Sequence, residues 1–268
     1  MPSRQNILRV APQYQPLFRQ VGLDAEAVFD HEQIRPWRTL SDRENCTIDF
    51  TDASGDSHRW HIKRYRAPVL GLRTPAQREV DGFRALNAHE IPSAKLVGWG
   101  QLADRRSFVI SEDLNGYEAA DKLIVEGGVS FERLLEPTAA LAAKLHAAGL
   151  HHRDLYLCHF FARVGSADDP AAPIDLKLID VARVRPLPPL VRRRWVVKDL
   201  AQFWFSTLEH PTISDDLRSA WLTAYASRRG IDPAALRSPI ARKSASIGRH
   251  DRRLRELQPN RNISIPSD

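Results

Sequence analysis

Between residues 145 and 162 the chain reads LHAAGLHHRDLYLCHFFA, so that His151, His152, Arg153, Asp154 and His159 fall within a few residues of one another. These are side chains able to move protons, bind metals and hold anions. They stand between an apolar helix-like run and a β-like run, and so are delivered by ordered elements. Two chemistries compete for the stretch. One is metal-dependent hydrolysis through His151, His152, Asp154 and His159. The other is phosphoryl transfer, in which Asp154 acts on an acceptor hydroxyl and His159 stands on the metal side. The spacing matches no zinc signature of the hydrolases, and hydrolysis leaves Lys63 and Asp180 unexplained.

Those two residues decide between the chemistries. Phosphoryl transfer needs a lysine on the nucleotide phosphates, a glutamate to hold that lysine, an aspartate for the acceptor hydroxyl and ligands for magnesium. Lys63 sits in the β-like run Arg59–Tyr65, on the face that carries His61 and Tyr65, opposite Trp60, Ile62 and Arg64. Glu79 follows 16 residues later in a helix announced by Thr74 as N-cap and Pro75 at its first position. A strand lysine is ordinarily solvated and a first-turn glutamate ordinarily serves the helix dipole; their order in the chain favours an ion pair, with Glu90 in reserve. Asp180 ends the apolar run Ile174–Ile179. An acid at the mouth of a buried strand is costly unless it is paired or coordinates a metal, and a metal ligand is favoured over a strand-end cap. Lys63, Glu79, Asp154, His159 and Asp180 thus occur in the order a phosphotransfer site requires.

The elements that must position these groups are legible in outline. Residues 10–30 read as a short amphipathic helix and its exit. Runs at Trp37–Leu40, Cys46–Phe50 and Arg59–Tyr65, with the turn Asp52–Ser57, predict an antiparallel sheet, to which Lys95–Gly98 and Phe108–Ser111 add two strands. Glu112–Gly116 is the predicted connection between two lobes, and the backbone of Ser111–Leu114 is a candidate for an adenine edge. From Phe131 the pattern turns helical and closes at Gly149. Phe160–Val164 and Ile174–Ile179 read as strands joined by the turn-rich insert Gly165–Pro173, and helices follow around Lys198–Phe205 and Leu217–Arg228. Arg242–Leu257 carries six Lys or Arg against two acids, by default a solvated helix face.

Composition narrows the function classes. With 268 residues, 43% apolar and 27% charged, the chain can bury a sizeable core. The net charge of +6 favours anionic partners. Cys46 and Cys158, the only cysteines, make no disulfide framework, which fits a reducing cytosol. No apolar run is long enough for a signal or a membrane span.

The triplet His152-Arg153-Asp154 resembles the catalytic loop of protein-kinase-like phosphotransferases. The segments HHRDLYLCHFF, LKLIDVARVR and RRWVVKDLAQFWFS together look more closely like the lipopolysaccharide core kinases, bacterial enzymes that phosphorylate heptose or Kdo of the inner core. The resemblance runs from about Arg35 to Leu257. It implies an α+β, protein-kinase-like two-lobed fold with a small antiparallel sheet in one lobe and a mainly helical second lobe. Residues 1–34 are then a helical extension, 35–112 the nucleotide-binding lobe, and 113–268 the lobe with the catalytic loop, the acceptor site and the basic helices. It also implies ATP and Mg2+ as cofactors, Asp154 as catalytic base, Arg153 as a loop-positioning residue, Lys63 and Glu79 on the ATP phosphates, and His159 and Asp180 on the metal side. Asp199 matches the buried aspartate that braces the catalytic loop backbone. Two departures stand out. Ser41–Asn45 replaces the glycine-rich loop, which brings Arg43 in as a phosphate-binding side chain beside Ser111 and Glu112 at the nucleotide, and Val181-Ala182-Arg183 replaces the Phe-Gly after the metal aspartate.

The expected activity is therefore ATP- and Mg2+-dependent phosphorylation of a lipopolysaccharide inner-core sugar, lipid-linked or free. The expected location is cytoplasmic or peripheral on the inner face of the cell membrane, where the basic C-terminal segment and Arg192–Arg194 would meet an anionic surface. Nucleic acid is not an expected partner. The rival readings are a kinase of the same fold acting on another small molecule or a protein, and a pseudokinase-like binding module.

Overall fold

A computed structural model describes residues 5–66, 73–165 and 172–257; residues 166–171 of the predicted insert lie outside the described residues. The chain divides into two compact units, one running to Arg84 and taking in Ala94–Leu114, the other comprising Ala85–Ser93 and the chain from Asn115 onward.

The first unit contains β1 (Ile7–Val10), α1 (Gln15–Gln20), α2 (Ala27–Asp30), β2 (Arg35–Thr39), β3 (Arg43–Thr51), β4 (Ser57–Tyr65), most of α3 (Pro75–Ala88), whose end from Ala85 belongs to the second unit, β5 (Leu96–Gln101) and β6 (Ser107–Glu112). Its six strands form one antiparallel sheet in the order β1-β5-β6-β4-β3-β2. The β3–β4 hairpin closes because Asp52 Oδ1 accepts the N–H groups of Ser54 at 2.8 Å and Asp56 at 3.0 Å, and Gly55 takes the positive φ of 90° that the turn requires. Strand β4 then lies between β3 and β6, with Lys63 opposite Asn45 on one side and Val109 on the other. Period-2 alternation buries Trp60, Ile62 and Arg64 and leaves His61 and Lys63 on the half-exposed face. Phe18 stacks on the Trp60 ring at 5.6 Å and Phe50 meets it edge-on at 4.8 Å.

Helix α3 begins with a capping box. The Gln77 N–H donates to Thr74 Oγ1 at 3.3 Å while the Thr74 N–H donates to Gln77 Oε1 at 2.9 Å, and Pro75 follows at the first helical position. Ala76, Val80 and Leu86 bury one face of it. The chain before β2 departs from expectation: α1 and α2 are short, and Ile7–Val10 pairs with β5. Four residues in mixed burial leave no alternation to read, so β1 is visible only through its partner strand.

The second unit contains β7 (Glu118–Ala119), α4 (Ala120–Val125), α5 (Phe131–Ala147), β8 (Leu150–His151), β9 (Phe160–Val164), β10 (Ile174–Leu178), β11 (Arg185–Pro186), α6 (Arg192–Thr207), α7 (Asp215–Arg229) and α8 (Ala234–Leu257). It is mainly helical, with two small antiparallel sheets, β10-β9-β7 and β11-β8. Helix α5 packs on α7, and α6 on α8. Gly149, at φ 71°, turns the chain out of α5 into the loop that bears Asp154. The Phe203 ring of α6 lies 4.0 Å from the Trp221 ring of α7 and nearly parallel to it, and Trp221 Nε1 donates to Thr138 Oγ1 of α5 at 3.0 Å. Trp221 therefore joins three helices while keeping its N–H satisfied.

Replacing Trp221 by Ala removes that ring and the N–H that Thr138 Oγ1 accepts, while the Thr138 hydroxyl keeps its own bond to the Leu134 carbonyl at 2.7 Å. The expected loss is about 3–5 kcal/mol of unfolding free energy in urea titrations; a loss below about 1 kcal/mol would contradict this account of the helical core.

Candidate active site

In the first unit, Lys63 Nζ donates to Glu79 Oε1 at 2.7 Å. The spacing-based pairing with Glu79 is thus present, and Glu90 lies past the end of α3 with φ 51°. Glu79 is buried at 4% side-chain exposure and Lys63 is 27% exposed, so the acid is fixed inside the unit and the lysine reaches partly toward solvent. Tyr65 completes the arrangement by donating its hydroxyl to Glu79 Oε2 at 2.6 Å. Sequence reasoning assigned Tyr65 no role, although its place two residues after Lys63 on the same face was a usable signal. Arg43 opens β3 opposite Tyr65, with a buried Nε that has no partner among the described residues. The Leu40 N–H donates to the Arg43 carbonyl at 2.8 Å, closing a turn of only Ser41 and Asp42, too short to fold over a phosphate chain.

Ser111 and Glu112 end β6. Ser111 is paired on both sides, with His61 of β4 and Leu96 of β5. The Glu112 carboxylate accepts from the Tyr14 hydroxyl at 2.5 Å and lies 3.6 Å from Lys95 Nζ, and its N–H donates to the Lys95 carbonyl at 2.9 Å. Its side chain and amide are therefore both committed to the first unit's own structure.

In the second unit the loop after β8 hangs on one buried acid. Asp199 of α6 is fully buried; its Oδ2 accepts the His152 N–H at 2.7 Å and its Oδ1 the Arg153 N–H at 2.9 Å. His146 Nε2 donates to the same carboxylate at 3.3 Å while His146 Nδ1 meets the Tyr225 hydroxyl at 2.8 Å. Burial opposes ionisation of Asp199, yet the hydrogen bond and charge of His146 and the His152 amide more than offset it, and the carboxyl titrates below its ordinary value. The loop it holds is strained. Arg153 adopts φ 73°, a left-handed conformation that persists in a non-glycine residue only where the surroundings over-determine it. Lys198 Nζ adds a bond to the Arg153 carbonyl at 2.5 Å, and the Arg153 guanidinium lies over the Trp195 ring at 4.6 Å.

This backbone presents Asp154. Its Oδ1 accepts from Arg183 Nη1 at 2.8 Å and more weakly from Gln202 Nε2 at 3.4 Å, and among the described residues no hydrogen bond falls on Oδ2. Burial raises the Asp154 pKa, Arg183 and Lys198 oppose the rise, and Asp180 reinforces it. Arg183 and Gln202 are side chains whose contact with Asp154 no spacing rule reveals. His159 Nδ1 lies 2.6 Å from the Asp154 carbonyl; a carbonyl only accepts, so Nδ1 carries the proton and the neutral ring presents a bare Nε2. Asp180 adopts φ 54° just beyond β10.

His151 and His152 are framework residues. The His152 ring is fully buried, with Nε2 at 3.0 Å from the Ile179 carbonyl, and the His151 ring packs 4.7 Å from Trp195. Burial depresses both pKa values to about 4. Neither serves as a metal ligand here, and among the described residues no three His, Cys, Asp or Glu side chains gather around a common point. Among the described residues there is thus no histidine-rich cluster of the kind that zinc hydrolases use. That sparseness suits an ion that takes one or two protein ligands and fills its shell with water and phosphate oxygens, as Mg2+ does. Asp180 could supply an oxygen of the required hardness, and His159 Nε2 a softer, auxiliary donor.

The family model for lipopolysaccharide kinases (Kdo/WaaP) matches residues 43–225, more than half of the chain and every site residue named above. The chain belongs to this family. Among relatives, it is 29% identical over 209 residues to the lipopolysaccharide core heptose(I) kinase WaaP of Escherichia coli K12, covering 70% of this chain and 76% of that one. It is 31% identical over 161 residues to the heptose(I) kinase WaaP of Pseudomonas aeruginosa, covering 54% and 55%. Among solved structures, a Rio2 kinase from Chaetomium thermophilum, in an ADP/Mg2+-phosphoaspartate complex, aligns over 84% of this chain and 77% of that one, with a TM-score of 0.49 and 16% identity. Within the family the chain is a sugar kinase by class, with the α+β architecture of a sheet unit and a mainly helical unit that the sequence predicts.

Two outcomes follow for stability. His151 and His152 are folded in their neutral forms with pKa values near 4, against an ordinary 6.5. Their stabilisation is complete above pH 6.5 and is lost as pH falls toward 4, so unfolding free energy should decline through that window by a few kcal/mol, with a slope of up to two protons. Asp199→Ala leaves two loop amides without acceptors and should cost about 3 kcal/mol at neutral pH. Chemical denaturation across pH checks both, and a flat profile from pH 7 to 4 would contradict the first.

Proposed function

We propose that this protein transfers the γ-phosphate of ATP, with Mg2+, to a hydroxyl of a lipopolysaccharide inner-core sugar, heptose or Kdo. The observation that carries the reading is the braced loop, in which Asp154 is engaged through Oδ1 while Oδ2 remains for an acceptor hydroxyl. The printed activity of the relatives, heptose(I) kinase, supports the choice of acceptor.

In this mechanism Asp154 Oδ2 orients the acceptor hydroxyl and takes its proton as the oxygen attacks phosphorus. Burial raises the basicity of the carboxylate, and Arg183 restrains that rise and fixes its rotamer. Lys63, held by Glu79 and through it by Tyr65, binds the nucleotide phosphates, and Arg43 adds the charge that a glycine-rich loop would otherwise replace with amides. Ser111 and Glu112 border the nucleotide site without offering it the Glu112 carboxylate or amide, which Tyr14 and Lys95 already hold. Asp180 and His159 would hold Mg2+, whose role is to neutralise charge on the phosphates. Arg153 positions the loop. The unit bearing Lys63 thus handles nucleotide and the unit bearing Asp154 the acceptor, in the cytoplasm where ATP is supplied.

The test is transfer of labelled γ-phosphate from ATP to core oligosaccharides carrying heptose or Kdo. Wild-type protein should label at least one acceptor in a Mg2+-dependent manner, and Lys63→Ala should lower kcat/KM for ATP by about 10²–10³. Failure to label any core sugar, or an unimpaired Lys63→Ala enzyme, would contradict the assignment.

A further inference from the structure

The segment Pro188–Arg194 is an oddity that phosphotransfer does not use. Leu190 is 100% exposed and Val191 40% exposed, and they sit in a single 3-10 turn, Pro189–Val191, stiffened by Pro188 and Pro189. The chain immediately enters α6 with Arg192, Arg193 and Arg194, all exposed. Three cations in a first helical turn oppose the helix dipole, and no acid stands in that turn. Among the described residues none of the three forms an ion pair. Arg193 reaches only the Ala235 carbonyl at 3.2 Å, and Arg194 lies 5.9 Å from the Trp195 ring. Neither local stability nor core packing accounts for an apolar tip fused to a cationic patch.

The tip is rigidly mounted. Leu187, just before it, is buried, and its N–H donates to the Gly149 carbonyl at 2.7 Å. Arg185–Pro186 pairs with Leu150–His151, the strand that leads into the Asp154 loop. One turn beyond the tip, Trp195 packs against His151 and Arg153.

We propose that Pro188–Arg194 is a docking tip for an anionic bilayer surface. Leu190 and Val191 enter the interfacial layer and Arg192–Arg194 meet lipid phosphates, the pairing of apolar and basic groups that interfacial binding requires. Charge complementarity selects this occupant: an apolar pocket on a protein would accept Leu190 and Val191 but would give three unpaired arginines nothing to meet. No helix among the described residues is long and apolar enough to cross a membrane. This goes beyond the phosphotransfer reading, and its test uses no substrate. The basic face of α8 is the weaker surface, since Arg255 already pairs with Glu209 at 3.0 Å and Asp251 at 2.8 Å.

The experiment is co-sedimentation of the full chain with vesicles of phosphatidylcholine alone and of phosphatidylcholine mixed with phosphatidylglycerol, at low and high salt. Wild-type protein should bind only the anionic vesicles, and salt should weaken the binding. Arg192→Gln/Arg193→Gln/Arg194→Gln should weaken it about a hundredfold and Leu190→Ser/Val191→Ser about tenfold. Because these side chains are exposed, circular dichroism should show unchanged folding. The proposal is overturned if wild-type protein ignores anionic vesicles, if both tip variants bind as wild type, or if only neutralising Arg249, Arg252, Arg253 and Arg255 abolishes binding. It is equally overturned if the Arg variant weakens binding and the Leu190→Ser/Val191→Ser variant does not, which would reduce the tip to a charge patch.

Discussion

One buried carboxylate holds the catalytic-loop geometry in place. Asp199 is taken out of water entirely and is stabilised there by accepting two consecutive backbone amides and a histidine N–H. A buried charge of this kind is tolerated only when its lone pairs are filled, and here the filling is useful in itself. It pins His152 and Arg153, holds the unfavourable φ of Arg153, and so fixes where Asp154 emerges. The His146 imidazole extends the network to Tyr225, tying the loop to α5 and α7.

Asp154 on the loop and Asp199 of α6 sit in contrasting surroundings. Asp199 is surrounded by donors, and its pKa is lowered against the pull of burial. Asp154 is partly buried with fewer donors, and its pKa is raised. A strongly stabilised carboxylate is a poor proton acceptor and a good brace, whereas a destabilised one is the better base. In the other unit a buried Glu79, pinned through Oε2 by Tyr65, holds the partly exposed Lys63 through Oε1.

What the sequence reveals and what it hides divide along physical lines. Strand alternation in Arg59–Tyr65 and the Thr74-Pro75 start of α3 locate the elements that carry Lys63 and Glu79, because both are regular and their signals local, and the order of parts that phosphotransfer needs favours pairing them. The HRD triplet and the KDL segment likewise locate the loop and its brace through family likeness. Hidden are contacts made by long side chains across elements, such as Arg183 and Gln202 on Asp154, Lys198 on the Arg153 carbonyl, and Tyr14 on Glu112. Nothing in spacing encodes them, since each depends on which rotamer a flexible side chain adopts after the backbone is set. Strand β1 is hidden for a related reason: four residues with one exposed among three half-buried carry no period, and the pairing is dictated by the free edge of β5.

The account stands or falls on the division of labour within the loop, with Asp154 acting in chemistry and not in holding the fold. The direct measurement is single-turnover phosphate transfer by Asp154→Asn, taken together with its chemical unfolding. The account predicts a fall in transfer rate of about 10²–10⁴ with unfolding free energy within about 1 kcal/mol of wild type. Undiminished transfer by the folded variant would contradict it.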